Sequence, residues 1–139
     1  MTTLVIDASV AAKCLVNESL SEKALSLLDP ANDLIARDLI LPEVGNVLWK
    51  KTRSGELSAD MAMERFDALA NMGVKVVAAN ALSRRALEIA TETGRTVYDS
   101  LYLSLAEASD CRLVTADTRL ANALHDTPWA ARVAFLGDL

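Results

Sequence analysis

Residues that build metal clusters or staple small folds are scarce in this chain: it has one histidine and two cysteines in 139 residues. Cys14 and Cys111 have neither CxxC spacing nor a histidine close by, which excludes the common zinc sites and leaves reduced, buried thiols as the reading. The single histidine, His125, falls in a late polar segment without a paired nucleophile, so no Ser-His-Asp or Cys-His site is present and an exposed role is expected. Five glycines and three prolines are too few for a low-complexity or disordered tract. No GxGxxG or GxxxxGK[ST] occurs, and with it no dinucleotide or P-loop nucleotide site is indicated. No apolar run reaches the length of a membrane span, and the opening MTTLVIDASV carries no basic leader before Asp7. A soluble cytoplasmic protein without a membrane partner is expected.

What is there is apolar and acidic. Hydrophobic residues make up 52% of the chain, enough for a real core, and the length suits one domain over residues 1–139. The formal charge is -5, from 14 basic against 19 acidic side chains, which at first argues against a polyanionic partner. Four of those acids, Asp7, Glu43, Asp99 and Asp117, are candidates for a shared cation. Set aside, they leave 15 acids against 14 bases, a near-neutral body on which local basic patches can hold phosphates.

The apolar period switches between short β-branched runs and longer helical patterns, predicting an α/β fold: a three-layer sandwich with a mainly parallel sheet of about 4–5 strands flanked by helices. Strands are expected at Thr3 to Ile6, Leu34 to Ala36, Val74 to Val77, Cys111 to Thr115 and, as an edge, Arg132 to Leu136. Helices are expected over Ala8 to Val16, Ser19 to Leu28, Leu39 to Lys51 with Asp38 as its cap, Ser58 to Asn71, Asn80 to Thr93, from about Asp99 onward, and Asp117 to Leu124.

Against that layout Asp7 closes the first strand and Asp117 follows Leu113-Val114-Thr115 by two residues. Both belong at strand carboxyl ends, where open parallel sheets bind their ligands. Asp99 borders the apolar stripe Tyr98, Leu101, Tyr102, Leu105 instead of the polar stripe Ser100, Ser104, Glu107. A carboxylate there needs a hydrogen bond, a helix dipole or a metal. Glu43 lies on a stripe with Asn46, Lys50 and Arg53 that an ordinary solvated face would equally produce, yet its helix follows a strand and starts on the edge shared with Asp7. Asn46, one turn on, can orient that carboxylate or touch substrate, or is simply exposed. Ser9 and Thr115 neighbour Asp7 and Asp117, as local caps or as holders of water and metal ligands.

Four carboxylates gathered within a few ångströms repel one another unless a cation neutralises them. All-oxygen ligation selects Mg²⁺, with Mn²⁺ as a substitute, over zinc or copper. Such an ion can lower the pKa of a bound water and stabilise charge on a phosphodiester under in-line attack.

The segments LVIDASV, LPEVGNVL, TVYDSLYLSLAE, LVTADTRL and VAFLGDL, in this order over nearly the whole chain, resemble the PIN-domain ribonucleases and, within them, the VapC toxins of VapBC toxin–antitoxin modules. All four acidic positions match. The resemblance implies Asp7 and Asp99 as principal metal ligands, Glu43 and Asp117 completing the cluster, and Asn46 and Thr115 near the site. It further implies a Mg²⁺- or Mn²⁺-dependent endoribonuclease cutting structured RNA, often tRNA or rRNA, a cognate VapB-type antitoxin laid over the helices beside the cleft, and a homodimer.

Basic residues that can rim such a site are Lys13, Lys50, Lys51, Arg53, Arg84, Arg85 and Arg95, although Lys50, Lys51 and Arg53 equally suit a helix C-terminus. Trp49 offers a face for a base or an apolar contact. Two other readings stay open. A receiver-like signalling domain also gathers acids at a sheet edge, but it needs paired acids on its first strand and a strand-end lysine, whereas Asp7 is single and Lys75 begins a strand. A catalytically silent PIN-type module for RNA or protein binding would have lost an acid, and none is lost.

Overall fold

Alternation along five short strands decides the architecture: β1 (Thr2–Ile6), β2 (Asn32–Arg37), β3 (Lys75–Val77), β4 (Arg112–Thr115) and β5 (Val133–Phe135). Successive side chains of a strand point to opposite faces. In β1 Val5 enters one core and Ile6 the other, and in β4 Leu113 and Val114 divide the same way. Both faces of the sheet are therefore apolar and both need a cover, which makes three layers. The computed structural model describes residues 1–139, and all its strand pairings are parallel, in the order β3-β2-β1-β4-β5.

Four helices cover one face: α1 (Ala8–Leu15), α2 (Ser21–Ser26), α3 (Ile40–Arg53) and α4 (Ala59–Leu69). They bury Val10, Leu15, Ala24, Val44, Leu48 and Leu69 against Ile6, Leu34 and Ala36. On the other face α5 (Ser83–Thr93), α6 (Val97–Ala108) and α7 (Thr118–Leu124) bring Ile89, Leu101, Leu103, Leu120 and Leu124 onto Val5, Ile35 and Leu113. The change of face has a cause. From β1 the chain steps outward through β2 to β3, then returns past β1 to β4 and steps outward the other way. Parallel crossovers are right-handed, so reversing direction moves the connecting helices to the opposite face. The reversal falls between β1 and β4, and the chain leaves both of those strands at the same edge.

Local chemistry shifts several boundaries. Leu20 sits in the left-handed region at φ 69°, so α2 starts at Ser21 and not at Ser19. The first turn expected for α5 is a 3-10 turn, Asn80–Leu82, and Gly94 closes the helix at φ 74°. Asp38 does not cap α3: Leu39 occupies that position without a side-chain bond, while the Asp38 N–H donates to the Val77 carbonyl at 2.9 Å and prolongs the β2–β3 pairing. Thr96 caps α6, its Oγ1 accepting from the Asp99 N–H at 3.1 Å. The supposed polar stripe of α6 is buried at Ser100 and Ser104, and the Ser104 hydroxyl is satisfied by the Leu82 carbonyl at 3.2 Å. No helix is long and apolar enough to cross a membrane.

Candidate active site

Asp7 follows β1 and caps α1, with its Oδ1 accepting from the Val10 N–H at 3.2 Å. Two hydroxyls complete its surroundings. Ser9 Oγ donates to Oδ1 at 2.5 Å and Thr115 Oγ1 to Oδ2 at 2.5 Å. Both hydroxyls are in turn fixed by the loop after β4: the Ala116 N–H donates to Ser9 Oγ at 2.9 Å and the Asp117 N–H to Thr115 Oγ1 at 3.1 Å. Ser9 and Thr115 thus tie the ends of β1 and β4 together through the Asp7 carboxylate. Asp7 is 6% exposed and has no basic partner. Burial pushes its carboxyl up to about 6 from 3.8, against the lowering effect of its hydrogen bonds and with a smaller contribution from the nearby charge of Asp117.

Asp117 caps α7 with one oxygen, Oδ1 accepting from the N–H groups of Arg119 at 2.9 Å and Leu120 at 3.3 Å. Oδ2 takes no bond from the protein. Asp99 lies in the first turn of α6 and pairs with Arg95 Nη2 at 3.2 Å. Glu43, in the first turn of α3, has the strongest partner: Arg37 Nη2 stands 2.6 Å from its Oε1, and the Tyr102 hydroxyl donates to the same oxygen at 3.1 Å. Burial raises the Glu43 carboxyl, opposed by the Arg37 charge and the Tyr102 hydrogen bond, while the Asp99 charge adds to the rise. Burial and the Glu43 charge in turn hold the Tyr102 phenol protonated.

The expectation of four carboxylates drawn within a few ångströms is not met. They form two couples that feel each other's charge, Asp7 with Asp117 and Glu43 with Asp99, and no three acidic side chains stand together at metal-binding distance. Internal cations and backbone donors do part of the neutralising that a metal was invoked for. A hard divalent ion is still suited by this donor set, because magnesium is commonly held by one or two carboxylates plus water and phosphate oxygens. The particular observation is Asp7, a buried carboxylate surrounded by oxygen donors and without a countercharge.

An open cavity of about 430 Å³ adjoins the cluster and is lined by Arg37, Glu43, Asn46 and Tyr98 among others. Asn46 is exposed there and its amide forms no hydrogen bond with the protein. Sequence reasoning missed Arg37. It ends β2, is 1% exposed, and its guanidinium carbon lies 4.3 Å from the centre of the Tyr102 ring. The signal was a charged residue closing an apolar strand of a sheet covered on both faces. Of the proposed basic rim, Lys13 and Lys51 pair with Glu18, and Arg85 with Glu88 and Glu107. Only Arg95 bonds to the acidic cluster. Trp49 is exposed and carries Arg53 over its ring at 5.0 Å.

Other chemistries find no support. His125 is exposed beside Asp126, and burial pushes the Cys14 thiol up to about 11, far from a reactive thiolate. Lys75 stands at the amino end of β3, paired with Asp33 at 2.8 Å, and so cannot act as a receiver-type strand-end lysine beside Asp7.

The PIN domain family model matches residues 4–124. Ribonuclease VapC3 of Pyrobaculum aerophilum is 38% identical over 120 residues, 85% of this chain and 92% of that protein. The crystal structure of PAE2754 from the same organism superposes with a TM-score of 0.72 at 26% identity, covering 99% of this chain and 85% of that one. A toxin–antitoxin complex from Klebsiella pneumoniae has the same fold, with a TM-score of 0.67 at 14% identity over 96% of this chain and 97% of that one. With the sheet order, the acids at the β1 and β4 ends and these relatives together, the chain belongs to the PIN-domain family and, within it, to the VapC ribonucleases.

Proposed function

We propose that this protein is a Mg²⁺- or Mn²⁺-dependent endoribonuclease, acting in the cytoplasm as the toxin of a toxin–antitoxin pair. The observation that carries the reading is the Asp7 carboxylate, buried at the junction of β1 and β4 with neutral donors only, and within reach of the Asp117 charge. Such a group gains most from a bound cation.

In this reading Asp7 and Asp99 hold the ion, with Asp117 and Glu43 completing its surroundings. When bound, a divalent ion supplies a water of lowered pKa and stabilises the charge that builds on the phosphate. The chain does the rest. Ser9 and Thr115 lock the Asp7 carboxylate in one orientation, so little reorganisation is needed during reaction. Asp117 keeps Oδ2 free while Oδ1 is spent on its helix. Asn46 offers an amide to the sugar or phosphate of a strand lying in the cavity.

The substrate we assign is structured RNA, tRNA or rRNA, and the inhibitor a VapB-type antitoxin. The name of the Pyrobaculum relative, a ribonuclease, supports an RNA substrate, that of the Klebsiella complex supports an antitoxin partner, and tRNA or rRNA follows from the family resemblance. A groove between α3 and α4, lined by Trp49, Met63 and Phe66, is apolar and suits an apolar antitoxin segment. A homodimer follows from the family resemblance.

A circularised RNA incubated with the purified chain tests the chemistry, because a closed circle is cut only by an endonuclease. Cleavage in Mg²⁺, lost in EDTA and lost in Asp7→Asn and Asp99→Asn, is the expected result. Equal cleavage by wild type and both variants, or an uncut circle beside a degraded linear RNA, refutes it. Growth arrest on expression without a partner, absent for Asp7→Asn, tests the toxin role.

A further inference from the structure

Arg37 is more than a counter-ion. Its guanidinium is fixed on three sides, by Glu43 through Nη2 at 2.6 Å, by the Tyr102 ring at 4.3 Å and by the Tyr98 ring at 6.0 Å. Yet its Nε and Nη1 are buried and have no hydrogen-bond partner anywhere in the protein. Arginine carries five N–H donors and does not deprotonate, so it cannot escape this by losing its charge. Unpartnered donors on a charged group at 1% exposure are costly, and native structures rarely leave them unless a ligand or an ordered water fills the position. The same residue borders the cavity of about 430 Å³ that adjoins Glu43 and Asn46.

A ligand for these donors must be an acceptor, and an anion is preferred because it forms charge-assisted bonds. The one acid in the lining of the cavity is Glu43, and Arg37, paired with it, offsets its charge there. Asn46, exposed on the same cavity, adds an uncharged donor.

We infer that Arg37 is a phosphate-binding residue, donating from its unpartnered nitrogens to a non-bridging oxygen of the RNA backbone as the strand lies across the cavity. The inference rests on the ribonuclease reading and adds to it a named contact between protein and substrate. Glu43 then has a second duty: it anchors the guanidinium that receives the phosphate.

The experiment measures binding of a fluorescein-labelled RNA hairpin by anisotropy with Ca²⁺ in place of Mg²⁺, and cleavage of the same hairpin in Mg²⁺. The proteins are wild type, Arg37→Lys, Glu43→Gln and the double variant Arg37→Gln/Glu43→Gln. Arg37→Lys keeps a charge opposite Glu43, and the double variant leaves no buried charge unpaired, so thermal melting can establish that both are folded. The expected result is RNA binding weakened by roughly tenfold to a hundredfold in Arg37→Lys, the loss of one to two charge-assisted hydrogen bonds. Relative to Glu43→Gln, the double variant should lose a similar factor and lower the salt dependence of binding by about one phosphate contact. Mn²⁺ affinity, followed by its electron spin resonance signal, should change less than threefold in Arg37→Lys. RNA affinity equal to wild type in Arg37→Lys overturns the inference, and so does a double variant no weaker than Glu43→Gln, which would mean that Arg37 only holds Glu43 or a trapped water. A parallel fall in Mn²⁺ affinity also overturns it. If wild type neither binds nor cuts RNA, the ribonuclease reading itself fails, and this contact with it.

Discussion

Replacing Asp7 by asparagine should stabilise the metal-free protein at neutral pH while destroying its activity. Burial raises the Asp7 carboxyl from 3.8 to about 6, so the folded chain binds that proton more tightly than the unfolded chain. A group with a raised folded pKa contributes stability that is fully present below the unfolded value and lost as pH rises through the folded one. Here the loss falls between about pH 4 and pH 7. A rise of roughly two pH units, at 1.36 kcal/mol each, makes it about 3 kcal/mol by pH 8. Asparagine removes the charge but offers one acceptor oxygen to Ser9 and Thr115, both of which now donate, so one hydroxyl must turn away at a cost of about 1 kcal/mol. Asp7→Asn should thus be about 2 kcal/mol more stable than wild type at pH 8 in EDTA and about 1 kcal/mol less stable at pH 4. At pH 8 that is a rise in Tm of roughly 5–10 °C for a domain of this size. Urea denaturation at half-unit steps from pH 4 to 8 reads the crossover. Adding Mg²⁺ should stabilise wild type at pH 8 and leave the variant nearly unmoved. A variant less stable at pH 8, or a difference that does not change with pH, would refute the claim that an uncompensated buried charge sits at this junction.

Thr115→Val removes a donor to Asp7 Oδ2 and an acceptor for the Asp117 N–H at a fully buried position. It should cost about 1–3 kcal/mol in urea denaturation at pH 8 and measurably less at pH 4, where Asp7 is protonated and needs the donor less. At Asp117 two substitutions separate structure from chemistry. Asp117→Ala strips the cap from Arg119 and Leu120 and should cost about 1 kcal/mol, whereas Asp117→Asn keeps the cap within roughly 0.5 kcal/mol. Cleavage of RNA in Mg²⁺ should nevertheless fall at least tenfold in the asparagine variant, as gel-based rates will show.

The three-layer fold was legible because its cause is local. Val5-Ile6, Leu34-Ile35-Ala36 and Leu113-Val114 are apolar at consecutive positions, which happens only when both faces of a strand are covered. The placement of Asp7 and Asp117 was legible for the same reason, since a strand end is visible in the pattern. The state of each carboxylate was not. Which groups serve Glu43 depends on how the chain turns from β2 into α3, bringing Arg37 back onto it, and on α6 supplying Tyr102 from 59 positions away. Ser9 and Thr115 show the same limit. As sequence neighbours of acids they look like local caps, yet they bond across 106 residues of chain to knit two strands at one carboxylate. Asp38 erred in the opposite direction, a good capping residue whose backbone was claimed by the β2–β3 ladder instead.

These pairings rank the four acids in a way that family membership alone does not. Glu43 is neutralised by an arginine and a phenol, Asp99 by an arginine at the surface, and Asp117 by the first N–H groups of α7. Asp7 is ionised at neutral pH deep in the fold, against desolvation and with hydroxyl and amide donors in place of a cation. A fold that needed only stability would place a serine or an asparagine at this cap, where either serves the helix as well. Keeping a carboxylate there, oriented by the Ser9 and Thr115 hydroxyls, lowers the stability of the metal-free protein, a loss that the cation of the proposed reading would offset. The charges of Arg37 and Arg95 offset Glu43 and Asp99, whereas Asp117, which has no cation, adds its charge to the burden on Asp7.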